Sequence, residues 1–311
     1  MVSPPIQSEA QLNDGREKSE AFFRTQRLEE DPASYHQYFD EFQGDVADLL
    51  ELTVDLTQLK ENATEIIKTP KLFAVARYFC GPPISYDDLK VIAQIEGMTK
   101  AKLIGNSAAV GRIVDVIVTT LDKRRFAWIA ESRDADEAEK ANAIAATAAL
   151  MSSQKIQTLR RSQAKKDQEE KVETALIAAG LQKVPTRKVQ TFADAPAIGC
   201  FCREASLGKR KADFILRLWD NRVMAIECKV SNSSTNSVKR LNNDAAAKAV
   251  RWIDGFGSEQ VVPAAVLSGV YKLHNLTDAQ DKRLCIFWEH DLLALTNWIE
   301  NTRPPARTRR R

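Results

Sequence analysis

The most constraining stretch of the 311-residue sequence is a pair of short apolar runs with only three polar residues between them. Lys211-Ala-Asp213-Phe-Ile-Leu-Arg-Leu-Trp219 comes first, then Asp220-Asn221-Arg222, then Val223-Met-Ala-Ile-Glu227-Cys-Lys229-Val230. Apolar runs of this length around so tight a connection predict a β-hairpin. Side chains alternate along a strand, so Glu227 and Lys229 leave one face and Ile226, Cys228 and Val230 the other, where Met224 and Phe214 extend the apolar surface. For Asp213 to join Glu227, the register must pair odd residues with odd ones. That requires an odd-length connection or a bulge near Trp219–Arg222; a three-residue loop, 219–221, puts Asp213 opposite Glu227.

Charges inside a buried strand are costly unless they are paired or bind a metal. Two carboxylates a few ångströms apart at a strand end suit a hard divalent ion such as Mg²⁺, which takes carboxylate, water and phosphate oxygens. Asp213 and Glu227 are therefore the candidate metal ligands, with the main-chain carbonyl of Cys228 as a third. The ion would polarise a scissile phosphate and acidify an attacking water. Lys229 beside it would orient or help deprotonate that water and offset transition-state charge. The plain alternative is a Glu227–Lys229 surface pair on a half-exposed sheet, with Asp213 a strand-edge charge.

Charge is unevenly spread. Residues 1–50 hold eleven acids and four bases, residues 203–251 five acids and eleven bases, and Arg303, Arg307 and Arg309–Arg311 follow. A basic surround suits a polyanionic substrate, although a solvated basic face has the same composition. The five cysteines are odd in number and scattered, as reduced thiols of a cytoplasmic protein are. Cys200-Phe-Cys202 has no second ligand pair at zinc spacing. No apolar run reaches ~18 residues, and Met1-Val-Ser-Pro-Pro lacks the features of a signal peptide, so neither a membrane span nor export is expected.

Residues 1–19 are polar and expected to be poorly ordered. From Glu20 to about Ala179 the pattern is mostly helical, with Phe39, Phe42, Val46, Leu49, Leu50 and Val54 at helical spacing. After Gly180 short apolar runs predict strands at 213–219, 223–230, 260–267 and 283–288, and helices at about 238–253 and 290–300. The expected organisation is a helical domain over 20–155, an α/β domain over 156–302 and a basic tail over 303–311.

The wording around the hairpin resembles the PD-(D/E)XK nucleases, and within them the XamI-type restriction endonucleases. The residues are Gly208-Lys-Arg-Lys-Ala-Asp213-Phe-Ile, then Met224-Ala-Ile-Glu227-Cys-Lys229-Val-Ser-Asn-Ser-Ser-Thr-Asn-Ser237, then Val238-Lys-Arg-Leu-Asn-Asn-Asp244. Ala212 stands where a proline often precedes the first acid. The resemblance implies a restriction-endonuclease-like core, a mixed sheet flanked by helices, behind a mostly helical N-terminal domain. It implies Mg²⁺-dependent, site-specific cleavage of double-stranded DNA leaving 5′-phosphate ends, at GTCGAC if that specificity is shared. Asp213, Glu227 and Lys229 would be the catalytic set. It further implies a bacterial cytoplasmic protein acting as a homodimer, with a companion methyltransferase. In the wider superfamily the first core helix often lends another acid; Glu169 is the candidate, because it continues the Val172/Leu176 face while Glu170 and Glu173 turn to solvent.

Asparagine pairs bidentately with adenine, and arginine or lysine with guanine or phosphate. Asn232, Ser234, Asn236, Lys239, Arg240, Asn242 and Asn243 are therefore candidate DNA contacts, and Lys209, Arg210 and Lys211 candidate phosphate contacts. As a plain alternative, Ser231–Ser237 is a polar loop leading into a helix cap. Two other functions compete: a repair or junction-resolving nuclease of the same superfamily, and a DNA-binding protein on an inert nuclease fold.

Overall fold

The structure, a computed structural model, describes residues 2–29, 32–97, 99, 102–103 and 105–304. Arg307 and Arg309–Arg311 of the basic tail lie outside the described residues. The chain divides into two compact units, one of Met1–Glu30 with Arg161–Arg311 and one of Asp31–Arg160.

Helix α1 (Glu9–Leu28) opens with a capping box between Ser8 and Gln11. It belongs to the first unit, which corrects the expectation of a poorly ordered 1–19. The helix buries only Leu12, Gly15 and Ser19. Small residues let it lie close to its neighbour: a Cβ added to Gly15 would stand 2.1 Å from Trp288 Nε1. Ser19 Oγ accepts the Gly269 N–H at 2.9 Å and donates to the Gly269 carbonyl at 3.0 Å.

The second unit holds α2 (Ala33–Leu52), α3 (Ala63–Lys68), α4 (Pro70–Tyr78), α5 (Tyr86–Ile92), α6 (Ser107–Thr119) and α7 (Ala127–Ala130). Leu49, Ile66, Phe73, Phe79, Ile113 and Phe126 form its core. Arg125 ties it together by donating to Asp122, Thr147 and the carbonyls of Tyr78 and Cys80. A single 42-residue helix, α8 (Glu137–Ala178), follows. The boundary falls inside it at Arg160/Arg161 rather than near 155, because the basic 155–171 stretch is a helical surface and not a break.

The rest of the first unit is a six-stranded mixed sheet in the order β1 to β6. The strands are β1 (Gln182–Lys183), β2 (Cys200–Leu207), β3 (Arg210–Arg217), β4 (Val223–Ser231), β5 (Val261–Gly269) and β6 (Cys285–Trp288). β2, β3 and β4 form an antiparallel meander, while β1 runs parallel to β2 and β5 and β6 continue parallel from β4. Between β4 and β5 lie a short helix α9 (Ser234–Ser237), a π-helix (Val238–Ala246) and α10 (Ala247–Phe256); α11 (Leu273–Asp281) and α12 (Leu292–Asn301) flank β6. This is the expected mixed α/β architecture, a sheet flanked by helices. Leu218 N–H closes the β3–β4 turn onto the Arg222 carbonyl at 2.8 Å, and Asn221 takes φ +78°. The loop is thus 219–221, as the odd-to-odd register requires.

One face of the sheet packs Phe214, Met224, Ile226 and Cys228 against Val172 and Leu176 of α8. The other face packs Ala265 and Leu267 against Leu241, Ala245 and Ala249 of the π-helix and α10. No helix among the described residues is long and apolar enough to cross a membrane, and all five cysteines are free thiols.

Candidate active site

Pairing in the hairpin runs from Arg217↔Val223 to Phe214↔Ile226, which leaves Asp213 and Glu227 one residue beyond the paired segment on neighbouring strands. Asp213 Oδ2 accepts the Cys228 N–H at 2.7 Å. On β4, Glu227 is 0% exposed. Lys229 Nζ lies 2.6 Å from Glu227 Oε2, so the two do form a pair, but a buried one rather than the surface pair of the plain alternative. Glu227 and Lys229 therefore come together, while Asp213 reaches them through the Cys228 N–H and turns its other oxygen toward Lys165 of α8.

Four further charged groups converge there that sequence reasoning missed. Lys248 of α10 places Nζ 2.8 Å from the same Glu227 Oε2. Asp244 of the π-helix receives Lys229 at 2.7 Å and Lys248 at 3.4 Å. On the other side of the sheet, Lys165 of α8 stands 3.2 Å from Glu169 Oε1 and 3.6 Å from Asp213 Oδ1. Arg203 of β2 donates to Glu169 Oε2 at 2.8 Å. Glu169 is buried as its helical face predicts, yet it meets Asp213 through one shared ammonium, on the α8 side. Glu173 does not turn to solvent: it pairs with Arg203 and with Lys183. The one sequence signal for the missed lysines was spacing, since each stands four residues from an acid along a helix.

Burial works to lower the Lys229 pKa, but the charges of Glu227 and Asp244 outweigh it and raise the group above its ordinary value. Lys229 is thus a standing ammonium. Burial likewise pushes the Glu227 carboxyl up, against the pull of Lys229 and Lys248. With two ammonium nitrogens within 2.8 Å of one oxygen, the carboxylate is the form that the geometry fits. Burial raises the Cys228 thiol well above its usual value, so a thiolate nucleophile is excluded there.

No group of three or more His, Cys, Asp or Glu side chains surrounds a common point among the described residues. Asp213 and Glu227 nonetheless fit a hard cation. Both are carboxylates, and Glu227 Oε1 is buried with no hydrogen-bond partner, the kind of orphaned oxygen that a cation satisfies.

The candidate DNA contacts divide. Lys209, Arg210 and Lys211 are exposed around the turn into β3, where Gly208 takes φ +58°. Asn232, Asn236, Lys239 and Asn243 are exposed. Ser234 is half-buried, and its carbonyl accepts from Ser237 Oγ at 2.5 Å. Arg240 turns inward and donates to the Val230 carbonyl, and Asn242 has its Oδ1 buried without a partner.

The family model for the XamI restriction endonuclease matches residues 57–288. The Type II restriction enzyme XamI of Xanthomonas campestris pv. amaranthicola is 40% identical over 268 residues, covering 85% of this chain and 97% of that protein. Among solved structures, protein VC1899 from Vibrio cholerae aligns over 88% of this chain and 58% of its own at 14% identity, with a TM-score of 0.27. A likeness that distant carries no argument.

Proposed function

Because the chain belongs to the XamI restriction endonuclease family, we propose that it cuts double-stranded DNA at a specific sequence by Mg²⁺-dependent hydrolysis, with Asp213, Glu227 and Lys229 as its catalytic set. The reading places these residues in the PD-(D/E)XK pattern. The observation that supports it most is the buried Glu227–Lys229 pair at 2.6 Å, with Asp213 bonded to the Cys228 N–H that lies between the two.

Asp213, Glu227 and the Cys228 carbonyl would hold the ion. When bound, a divalent ion supplies Lewis acidity to the scissile phosphate and lowers the pKa of an attacking water. Lys229, held as an ammonium, orients that water and offsets the charge that builds on the phosphorus oxygens. It acts as a fixed cation rather than as a base. Glu169 braces the site by fixing Lys165 beside Asp213.

Lys209, Arg210 and Lys211 neutralise backbone phosphates, and the exposed Asn232, Asn236, Lys239 and Asn243 supply base or phosphate contacts. A homodimer gives one active site per strand and mirrors a palindromic site. A methyltransferase that protects the host at the same sequence completes the system.

Digestion of unmethylated plasmid with Mg²⁺ or with EDTA, beside Lys229→Ala, tests this. Discrete fragments that need Mg²⁺ and vanish in the variant are expected, and mapping their ends tests GTCGAC and the 5′-phosphate. Intact DNA with retained duplex binding overturns the enzyme reading.

A further inference from the structure

Glu227 Oε2 is contacted by two ammonium groups, Lys229 at 2.6 Å and Lys248 at 2.8 Å, and Asp244 lies within 2.7 Å of the first and 3.4 Å of the second. This is one carboxylate oxygen with two cations and a second acid beside them. The two lysines are not equivalent. Lys229 is fixed at both ends, to Glu227 and to Asp244, while the contact of Lys248 with Asp244 is the longest of the four.

Asp244 sits on the π-helix Val238–Ala246, the wide-turn backbone that recurs at functional sites. Lys248 follows one turn later on α10, four residues on. Both helices cover the sheet face that carries Glu227 and Lys229. Nothing about packing demands these charges, because the same helices already bury Leu241, Ala245, Ala246 and Ala249.

We propose that Lys248 is a further catalytic residue, an internal cation that neutralises Glu227 in the metal-free protein and passes to the scissile phosphate when a divalent ion takes Glu227, with Asp244 positioning Lys229 throughout. This rests on the nuclease reading above. The reason is electrostatic. A buried carboxylate beside Asp213 needs a cation at all times. A divalent ion on Glu227 Oε1 and a tethered ammonium on Oε2 of the same carboxylate repel each other as like charges, and the displaced ammonium is already in the site when the phosphate arrives. Asp244 is half-exposed, so it is free to hold Lys229 while Lys248 moves.

The proposal makes two quantities move in opposite directions, which a merely structural lysine would not do. In DNA-free protein, Lys248→Ala should bind Mg²⁺ several-fold more tightly in calorimetry, because its internal competitor is gone. At saturating Mg²⁺ the same variant should cut plasmid about a hundredfold more slowly, and Lys248→Arg should restore part of the rate. Asp244→Asn should lower kcat with little change in Mg²⁺ affinity, and it serves as the second variant if Lys248→Ala does not fold. Wild-type protein that binds Mg²⁺ and cuts DNA, with a Lys248→Ala variant whose Mg²⁺ affinity is unchanged or weaker, or whose saturated rate is undiminished, overturns this proposal alone. For Asp244→Asn an unchanged kcat does the same. Wild-type protein that neither binds Mg²⁺ nor cuts DNA overturns the nuclease reading itself.

Discussion

Asp213 Oδ2 accepts the main-chain N–H of Cys228 at 2.7 Å, so the acid of one strand is fastened to the residue that separates Glu227 from Lys229 on the next. The bond sets the spacing of the two carboxylates through backbone rather than through a flexible side chain. It also leaves Asp213 Oδ1 free of β4, with Lys165 at 3.6 Å.

Asp213→Asn and Asp213→Ala should separate these two jobs. Asparagine keeps a carbonyl acceptor for the Cys228 N–H but loses the charge, so it should melt like wild type and cut at least about a hundredfold more slowly. Alanine should lose the same activity and about 1 kcal/mol of stability in addition. An Asp213→Asn protein cutting at the wild-type rate would remove the carboxylate from the mechanism.

Glu227→Ala leaves Lys229 and Lys248 with only the half-exposed Asp244 between them and their buried counter-charge gone. A buried ion pair broken from one side costs about 3–5 kcal/mol. Urea unfolding should therefore show a loss near 3 kcal/mol, with Glu227→Gln milder because the amide oxygen still accepts from both lysines.

Two groups shape the pH profile in opposite senses. Burial raises Glu227 above the ordinary carboxyl value of 4.5, so protons displace the cation early on acidification. Half-saturating Mg²⁺ should rise on acidification, and should do so at a higher pH than an ordinary carboxyl would cause. The raised Lys229 stays charged past its ordinary 10.5, so no loss of rate from its deprotonation should appear between about pH 7 and 10. A descending limb in that window that Lys229→Arg abolishes would assign Lys229 a different proton state.

Gly15→Ala is favourable in an isolated helix by about 1 kcal/mol. Here the added Cβ would meet three atoms of the Trp288 indole within 2.8 Å, and Trp288 is buried. Overpacking of this kind costs about 1–3 kcal/mol, so the variant should melt lower than wild type; a higher melting temperature would mean that α1 does not lie on β6.

Replacing Lys209, Arg210 and Lys211 by alanine should weaken binding to all duplexes alike. The slope of log affinity against log salt should fall by about 0.9 for each phosphate that is no longer neutralised. An unchanged slope would place the DNA elsewhere on the protein.

The hairpin was legible because period-two alternation and a short odd-length connection bring Phe214, Met224 and Ile226 to one face. Its exact register was not, since loops of 219–221 and 220–222 both do so, and the Leu218–Arg222 closure decides between them. Strand β2 was not legible, since Cys200–Leu207 mixes thiols with Arg203 and Glu204 and shows no clean alternation. Helix α1 was hidden for a related reason. It meets the sheet through Leu12, Gly15 and Ser19, and small or polar contact residues leave no apolar stripe to read. Lys165 and Lys248 look like ordinary surface lysines until folding brings acids from other elements against them. Glu169 was legible in burial, whereas one of its two partners, Arg203, lay in the strand that the pattern concealed.

The discontinuity of the sheet-bearing unit sets a timetable for its birth on the ribosome. Helix α1 is made among the first residues, but the strand whose Gly269 it grips is completed only after Gly269 is translated. At roughly 5–20 residues per second, the helix waits about 10–50 s for that partner. The charges that meet at Glu227 span Asp213 to Lys248, all in the last third of the chain. On the proposed function, a polypeptide that stops before Lys248 lacks part of the charged cluster at Glu227 and should not cut DNA.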